Sequence, residues 1–402
     1  MKNMKLISLR AGKGSLLLAG AVALSMGCHK THINDQDLRD FEQVNLVANT
    51  SEYHPTNVDS TLINAFGIAW SGTNPTTLSS TAWVNSVGGH VSELYSPEGD
   101  FVKRVNIPSS PTDTLGGFPC GIAFAGGKGF QLGNGPAAFL FSGFEGIVSG
   151  WNGGNNAKFI LHPPNASYTG LTIASSGGQN FVYAANFGLN RIDVWDTTFK
   201  RVVMEFKDHG SPALPDNFSP YNIQAVGNYI FVMYAQLAGP ADKNPGHGVA
   251  GAGKGFVSVF NPDGSFVSRF ASRGPLNVPW GVTMTPAGFL QDKDMDNGGE
   301  GHTTYISSTG SANVGANTLS NHDPKDPVIL VGNFGDGHIN VYAQDGQFLG
   351  QLQAHKRPLV IEGLWALSFA PTTSTAIDPH RLYFTAGPDG EADGVFGYLI
   401  KK

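Results

Sequence analysis

The chain has 402 residues, and 53 glycines with 24 prolines make up about a fifth of them, which excludes a helical bundle or a coiled coil. Hydrophobic residues account for 41% and charged ones for 14%, enough for a sizeable core and too little charge for a disordered, solvated chain. The formal net charge is −6 with no basic block in the body, so nothing offers a footprint for nucleic acid.

The first residues read as an export signal. Lys2, Lys5, Arg10 and Lys13 precede an apolar run from Ser15 to Gly27 that is too short to span a bilayer. The run ends Leu24-Ser25-Met26-Gly27-Cys28, which resembles the site where lipoprotein signal peptidase cuts ahead of a diacylated cysteine. On this reading residues 1–27 are a lipoprotein signal peptide, Cys28 is lipidated, and the protein is an extracytoplasmic lipoprotein facing the periplasm or cell surface. Ordinary secretion with Cys28 removed is the other reading. Residues 28–42 are polar and aperiodic, as a tether would be. Cys120, left without a partner, reads in Phe118-Pro119-Cys120-Gly121-Ile122 as a small buried hydrophobe at a strand start.

From 43 to 400 the chain repeats in windows of about 50 residues. A short glycine-rich or apolar strand recurs at 66–69, 120–123, 170–173, 222–225, 281–284 and 366–369. A hairpin follows, clearest where Asn186-Phe187-Gly188-Leu189-Asn190-Arg191-Ile192-Asp193-Val194-Trp195 aligns without a gap to Asn333-Phe334-Gly335-Asp336-Gly337-His338-Ile339-Asn340-Val341-Tyr342. Glu98-Gly99, Asp263-Gly264 and Asp345-Gly346 are each followed two residues later by Phe101, Phe266 and Phe348, the signature of a tight turn needing positive φ before one more strand. Each repeat is therefore four antiparallel strands, and six such sheets set radially bury one another's faces. The fold predicted is all-β, a single six-bladed β-propeller with insertions near 236–255 and 286–327. The sixth repeat stops at its third strand, while residues 43–48 belong to no repeat. They are predicted to supply the missing outer strand of the last blade and close the ring.

Asn190-Arg191-Ile192-Asp193-Val194-Trp195-Asp196 resembles the NHL-repeat hairpin. Through Gly332-Asn333-Phe334-Gly335-Asp336-Gly337, Ile361-Glu362-Gly363-Leu364-Trp365-Ala366-Leu367, and Tyr383-Phe384-Thr385-Ala386-Gly387-Pro388 with Glu391-Ala392-Asp393-Gly394, the body resembles a family of uncharacterised secreted bacterial NHL-like propellers. Some members of that family carry a PEP-CTERM sorting tail. The resemblance implies a fold and an extracytoplasmic address, and it brings no catalytic residue. This sequence ends at Lys402 without such a tail, and its N-terminus points to lipid anchoring instead.

Gly-x-Ser-x-Gly, His-Glu-x-x-His and Cys-x-x-Cys are all missing from the sequence. Gly251-Ala252-Gly253-Lys254-Gly255 leads into a strand and lacks Ser or Thr after Lys254, so it is read as a hairpin insertion rather than a phosphate loop. Asp292, Asp294 and Asp296 are spaced as in a calcium loop, although Gly298 comes one position late and Thr303 stands where Glu is expected. A structural Ca2+ and a solvated acidic loop are the two readings there.

Propeller topology puts the inner-strand starts and the strand two to three hairpin tips on one face. That face is predicted to carry Glu362, Asn85, Asn186, Asn333, Asp336, His338, Trp280, Glu391 and Asp393, with Asn64, His90, Glu145, Tyr168 and Tyr221. In lactonase-like six-bladed propellers an axial ring of Asn and acidic groups holds a divalent cation as Lewis acid, and Glu362 is the first choice here for a central carboxylate. Asn186 and Asn333 serve equally as turn caps, and an Asp before Gly makes the turn itself. His90 and His338 fall in blades 1 and 5, which are not adjacent. Trp280 and Tyr221 offer stacking for a sugar or peptide, or else fill the core. Two functions follow from this reading. One is a binding or protein-interaction module at the cell envelope, its partner a protein, glycan or small molecule and its membrane contact the lipid anchor alone. The other is a metal-dependent hydrolase or lyase of lactonase or NHL-lyase type.

Overall fold

The computed structural model describes residues 33, 35–239, 247–291 and 323–402; the signal peptide, Cys28 and the Asp292, Asp294, Asp296 loop lie outside the described residues. Six four-stranded antiparallel sheets form the ring. Blade 1 is Ala65–Trp70, Ala82–Ser86, Val91–Tyr95 and Phe101–Asn106, from the inner strand outward. Blades 2 to 5 start at Pro119–Phe124, Tyr168–Ser176, Phe218–Val226 and Pro279–Met284, and blade 6 at Leu364–Ser368. Each blade has a neighbour on both sides, so second strands such as Gln179–Asn186 carry apolar residues on both faces, and Phe181 to Asn186 are all buried. Side chains from adjacent blades make the core: Tyr183 and Val194 of blade 3 meet Ile223, Val232 and Phe256 of blade 4.

The three acidic-Gly turns behave as predicted, with Gly99, Gly264 and Gly346 at φ 91°, 88° and 93° and the next strands starting at Phe101, Phe266 and Phe348. Crowding of the inner strands explains their glycines. A Cβ on Gly170 would lie 1.9 Å from Asn222 Oδ1, and one on Gly67 would lie 2.3 Å from the carbonyl oxygen of Cys120.

Closure joins the two ends of the chain. Phe41–Ala48 pairs antiparallel with Val395–Lys401, from Phe41 opposite Lys401 to Ala48 opposite Val395, and Asn57–Val58 adds a parallel fifth strand. The ordered body begins earlier than residue 43, and the end of the expected tether is part of it. Leu38 and Phe41 are buried in one cluster with Phe289, Leu352 and Leu399, because two apolar residues three apart can both turn inward there.

Candidate functional site

The starts of the six inner strands do converge with the hairpin tips, as the pairing of Ala65 with Ser86 and of Tyr168 with Asn186 requires. What they build on the axis is aromatic. Phe66, Cys120, Tyr221, Trp280 and Trp365 form one buried cluster, with half-buried Phe144 and Phe334 on it. Trp365 is sandwiched between Phe66 (centroids 3.7 Å, 25°) and Phe334 (3.9 Å, 16°), and Trp280 meets Phe66 edge-on at 5.1 Å. Of the two readings for Trp280 and Tyr221, the core reading describes both. Each indole N–H of the plug is satisfied, Trp280 donating to the Thr169 carbonyl at 2.9 Å and Trp365 to Asn64 Oδ1 at 2.8 Å. Next to the plug the inner strands, among them Gly67, Gly121, Gly281, Asn222 and Ser368, line a narrow pocket.

The asparagines of the tips are structural. Asn186 Oδ1 accepts from the N–H of Ser167, ahead of its own blade's inner strand, and from Leu189 in the tip; its amide donates to Asp193 at 2.7 Å. Ser86 does the same work in blade 1, accepting from Ile63 N–H and Gly89 N–H. Asn333 accepts from Asn277 N–H and donates to the Pro275 carbonyl and to Asp336. Asp336 is held further by Asn277 and by His338, whose Nδ1 lies 3.2 Å away. Asn85 donates to the carbonyls of Cys120 and Gly121, while Asp393 accepts from Asn49 and Tyr53, both at 2.7 Å.

Glu362 is exposed and accepts the Asp389 N–H at 3.2 Å. Among the described residues no three of His, Cys, Asp or Glu stand together so as to hold a metal ion. The face therefore carries the predicted residues, but they do not converge as a ligand ring.

Two groups depart from this pattern, and one of them was not singled out by the sequence. At the blade 2 tip the capping position is glycine, and the Glu145 carboxyl folds over Gly143 in its place. Its Oε1 accepts the Phe118 N–H at 3.2 Å, as Asn186 accepts Ser167 N–H; its Oε2 is buried and has no hydrogen-bond partner among the described residues. Burial pushes this carboxyl above the usual range, against the lowering by N–H donors and by His162 and His90.

The second group spans the axis. Asn64 Nδ2 donates to Glu391 Oε2 at 2.6 Å, and His247 Nδ1 lies 3.1 Å from Glu391 Oε1. The His247 ring stands 5.9 Å from that of Phe144. Trp365, Asn64, Glu391 and His247 so form one chain of polar contacts, joining blade 6, the approach to blade 1 and the blade 4 insertion. Glu391 holds φ 73° and Asn64 φ 50°, left-handed backbone that the surrounding bonds maintain. Beneath lies Cys120, a free and buried thiol raised well above its usual value by burial first and then by Glu145 and Glu391.

No family model matches the chain. It is 32% identical over 299 residues to "Uncharacterized protein L690" of Acanthamoeba polyphaga mimivirus, covering 71% of this chain and 68% of that protein. To "Uncharacterized protein R648" of the same virus it is 30% identical over 297 residues, and it spans 63% of that protein's length. Among solved structures it is similar to the WD40 domain of Neurospora crassa Pan2 (10% identity, 91% of this chain and 97% of that one, TM-score 0.44). A streptogramin B lyase gives 13% identity, 89% and 96% coverage and a TM-score of 0.40. Virginiamycin B lyase from Staphylococcus aureus gives 11%, 90%, 99% and 0.41. At these scores the activities of those proteins are not carried over.

Proposed function

The chain belongs to the family of the mimivirus protein L690, and we propose for it a binding function, exercised by the propeller face that bears the strand two to three hairpin tips. One observation carries this reading. The axis of that face is filled by the Phe66, Trp280 and Trp365 plug and Asn186 and Asn333 are engaged in capping, while Glu362 is exposed and Glu391 half-buried at its rim. Such a face suits recognition of a partner across loop tips better than chemistry in a cleft. The hydrolase or lyase reading requires ligands that Asn186, Asn333 and Asp336 already use in holding their own turns.

Export and lipid anchoring are part of the proposal. They are supported by the basic start, the apolar run and Gly27-Cys28. Labelled fatty acid should enter the intact protein and not Cys28→Ser; equal labelling of both would end the anchoring claim.

A photo-crosslinking residue placed at Glu362 in the expressing cell should give discrete adducts. The same residue at Gly178, in a turn joining first and second strands on the opposite face, should give none. Adducts confined to Gly178 would overturn the assignment of the face.

A further inference from the structure

At the seam where the ring closes, we propose that Asp59 and Glu93 hold one proton between them, a latch that ties the closing segment to blade 1 more firmly in mild acid than at neutral pH. Asp59 follows Asn57–Val58, the short strand laid against the closing strand, and its N–H donates to the Ala48 carbonyl at 2.9 Å. Glu93 lies in the third strand of blade 1 with its side chain fully buried, opposite Arg104 of the outer strand. Thr61 and Tyr95 set their hydroxyls between the two carboxyls.

The hydrogens can be counted. Thr61 Oγ1 lies 2.6 Å from Asp59 Oδ1 and 2.7 Å from Glu93 Oε1, and Tyr95 Oη lies 2.6 Å from Glu93 Oε2. Three short oxygen pairs need three hydrogens, and the two hydroxyls bring only two. Arg104 does not fill the gap, because its own N–H groups already donate to Glu93 Oε1 at 2.7 Å, to both Asp59 oxygens and to Thr61 Oγ1. With both carboxyls ionised, Thr61 faces one bare carboxylate oxygen at hydrogen-bond distance. A proton on Glu93 Oε1 completes the set: Glu93 donates to Thr61, Thr61 to Asp59, and Tyr95 to Glu93 Oε2.

The charges point the same way. Glu93, Asp193 and Asn340 hold one place in the third strands of blades 1, 3 and 5, opposite Val84, Ala184 and Val331. Asp193 is one carboxylate on two arginines, Arg191 at 2.7 Å and Arg201 at 2.8 Å, and Asn340 is neutral. In blade 1 the ratio is reversed, with two carboxyls on Arg104. The charged and titratable groups facing Glu93 are Asp59 from the closing segment, Tyr95 on its own strand and Arg104 from the outer one; the second strand presents Val84. Burial first, with the Asp59 charge behind it, pushes Glu93 above its ordinary range against the bonds from Tyr95, Thr61 and Arg104. Burial would raise Asp59 too, but its bonds to Thr61 and the Arg104 charge hold it below. The Glu93 contribution is therefore fully present below the unfolded value of about 4.3 and lost as pH rises through the folded one. That of Asp59 is present above about 3.9 and lost as pH falls through its folded value, so the latch is tightest between the two folded values.

Carboxyl-carbon NMR of the intact protein, labelled at Glu and Asp and titrated from neutral pH into acid, tests this. Glu93, identified by the loss of its signal in Glu93→Gln, should titrate above the ordinary glutamate value of about 4.3. Glu145, the other buried glutamate with a raised carboxyl, should be unmoved by that substitution. One Asp signal should move at the same pH as Glu93 and lose that step in Glu93→Gln. In Asp59→Asn, Glu93 should fall back toward the ordinary range, whereas burial alone would keep it raised. Amide exchange of residues 57–63, corrected for its intrinsic pH dependence, should slow as pH falls through the Glu93 step, and not in Glu93→Gln.

If either variant does not fold, the other still assigns the coupled pair in the wild-type titration. An ordinary Glu93 titration, an unmoved Glu93 in Asp59→Asn, or no Asp signal sharing its step overturns the shared proton. Exchange at 57–63 that ignores the step overturns the latch.

Discussion

Replacing Phe41 by Ala tests whether the N-terminal strand holds the ring together. Phe41 is 3% exposed and opens the closing strand opposite Lys401. Its ring lies 5.2 Å from that of Phe289, in a cluster with Leu38, Leu382 and Leu399. Truncating a phenylalanine so buried costs about 3–5 kcal/mol, a large part of the roughly 5–15 kcal/mol that stabilises a folded domain. Phe101 is the control, because it opens the outer strand of blade 1 yet is 54% exposed, so Phe101→Ala should cost about 1 kcal/mol or less. Urea unfolding followed by tryptophan fluorescence reads the whole ring, since Trp70, Trp83, Trp151, Trp195, Trp280 and Trp365 lie in blades 1, 2, 3, 5 and 6. Phe41→Ala should lower the midpoint of a single transition seen by every probe. If it matched Phe101→Ala, or lost only an early local phase while the main transition stayed in place, the strand would be decoration and closure would lie elsewhere.

Burial alone would raise the Asp208 carboxyl, but bonds from Arg269, Ser258 and the Gly210 N–H outweigh it and hold the group below the usual range. Its contribution is therefore present above the unfolded value of about 3.9 and lost as pH falls through the lower folded one. Asp208→Asn should destabilise at pH 7 by about 3–5 kcal/mol, since Arg269 is left buried and unpaired, and should flatten the acid limb of stability in urea midpoints taken from pH 7 to pH 3. Gly170→Ala should cost about 1–3 kcal/mol through overlap with Asn222; Asn222→Ala should relieve only part of it, because the Asn222 Cα is itself 2.9 Å from the added methyl. In a Cys28→Ser background a thiol reagent at pH 8 should leave Cys120 untouched in the native protein and react once per chain in urea; fast native reaction would contradict its burial.

Much of the ring was legible because it rests on local signals that recur. Glycine opens inner strands where neighbouring backbones nearly touch, and an acidic residue before glycine makes the same left-handed turn three times. The closing strand could be found as the one apolar stretch without a repeat. Its start was placed at 43 rather than 41, since the two apolar residues Leu38 and Phe41 in a polar segment give no periodicity to read. The face was legible too, being fixed by strand order alone.

What the face does chemically was not legible, for a physical reason. Asn64 and Glu391 are 327 positions apart and meet only because the ring closes between them. His247 sits in an insertion that obeys no repeat, so nothing in its spacing announces that it reaches Glu391 and Phe144. Glu145 is the instructive case. Its position at a hairpin tip could be predicted, but its burial follows from the glycine two residues earlier, which removes the side chain that Ser86, Asn186 and Asn333 supply and draws the carboxyl inward. In the tips of blades 1, 3 and 5 a hydroxyl or an amide is acceptor enough, so the carboxyl of Glu145 brings to blade 2 a second oxygen that its turn does not use.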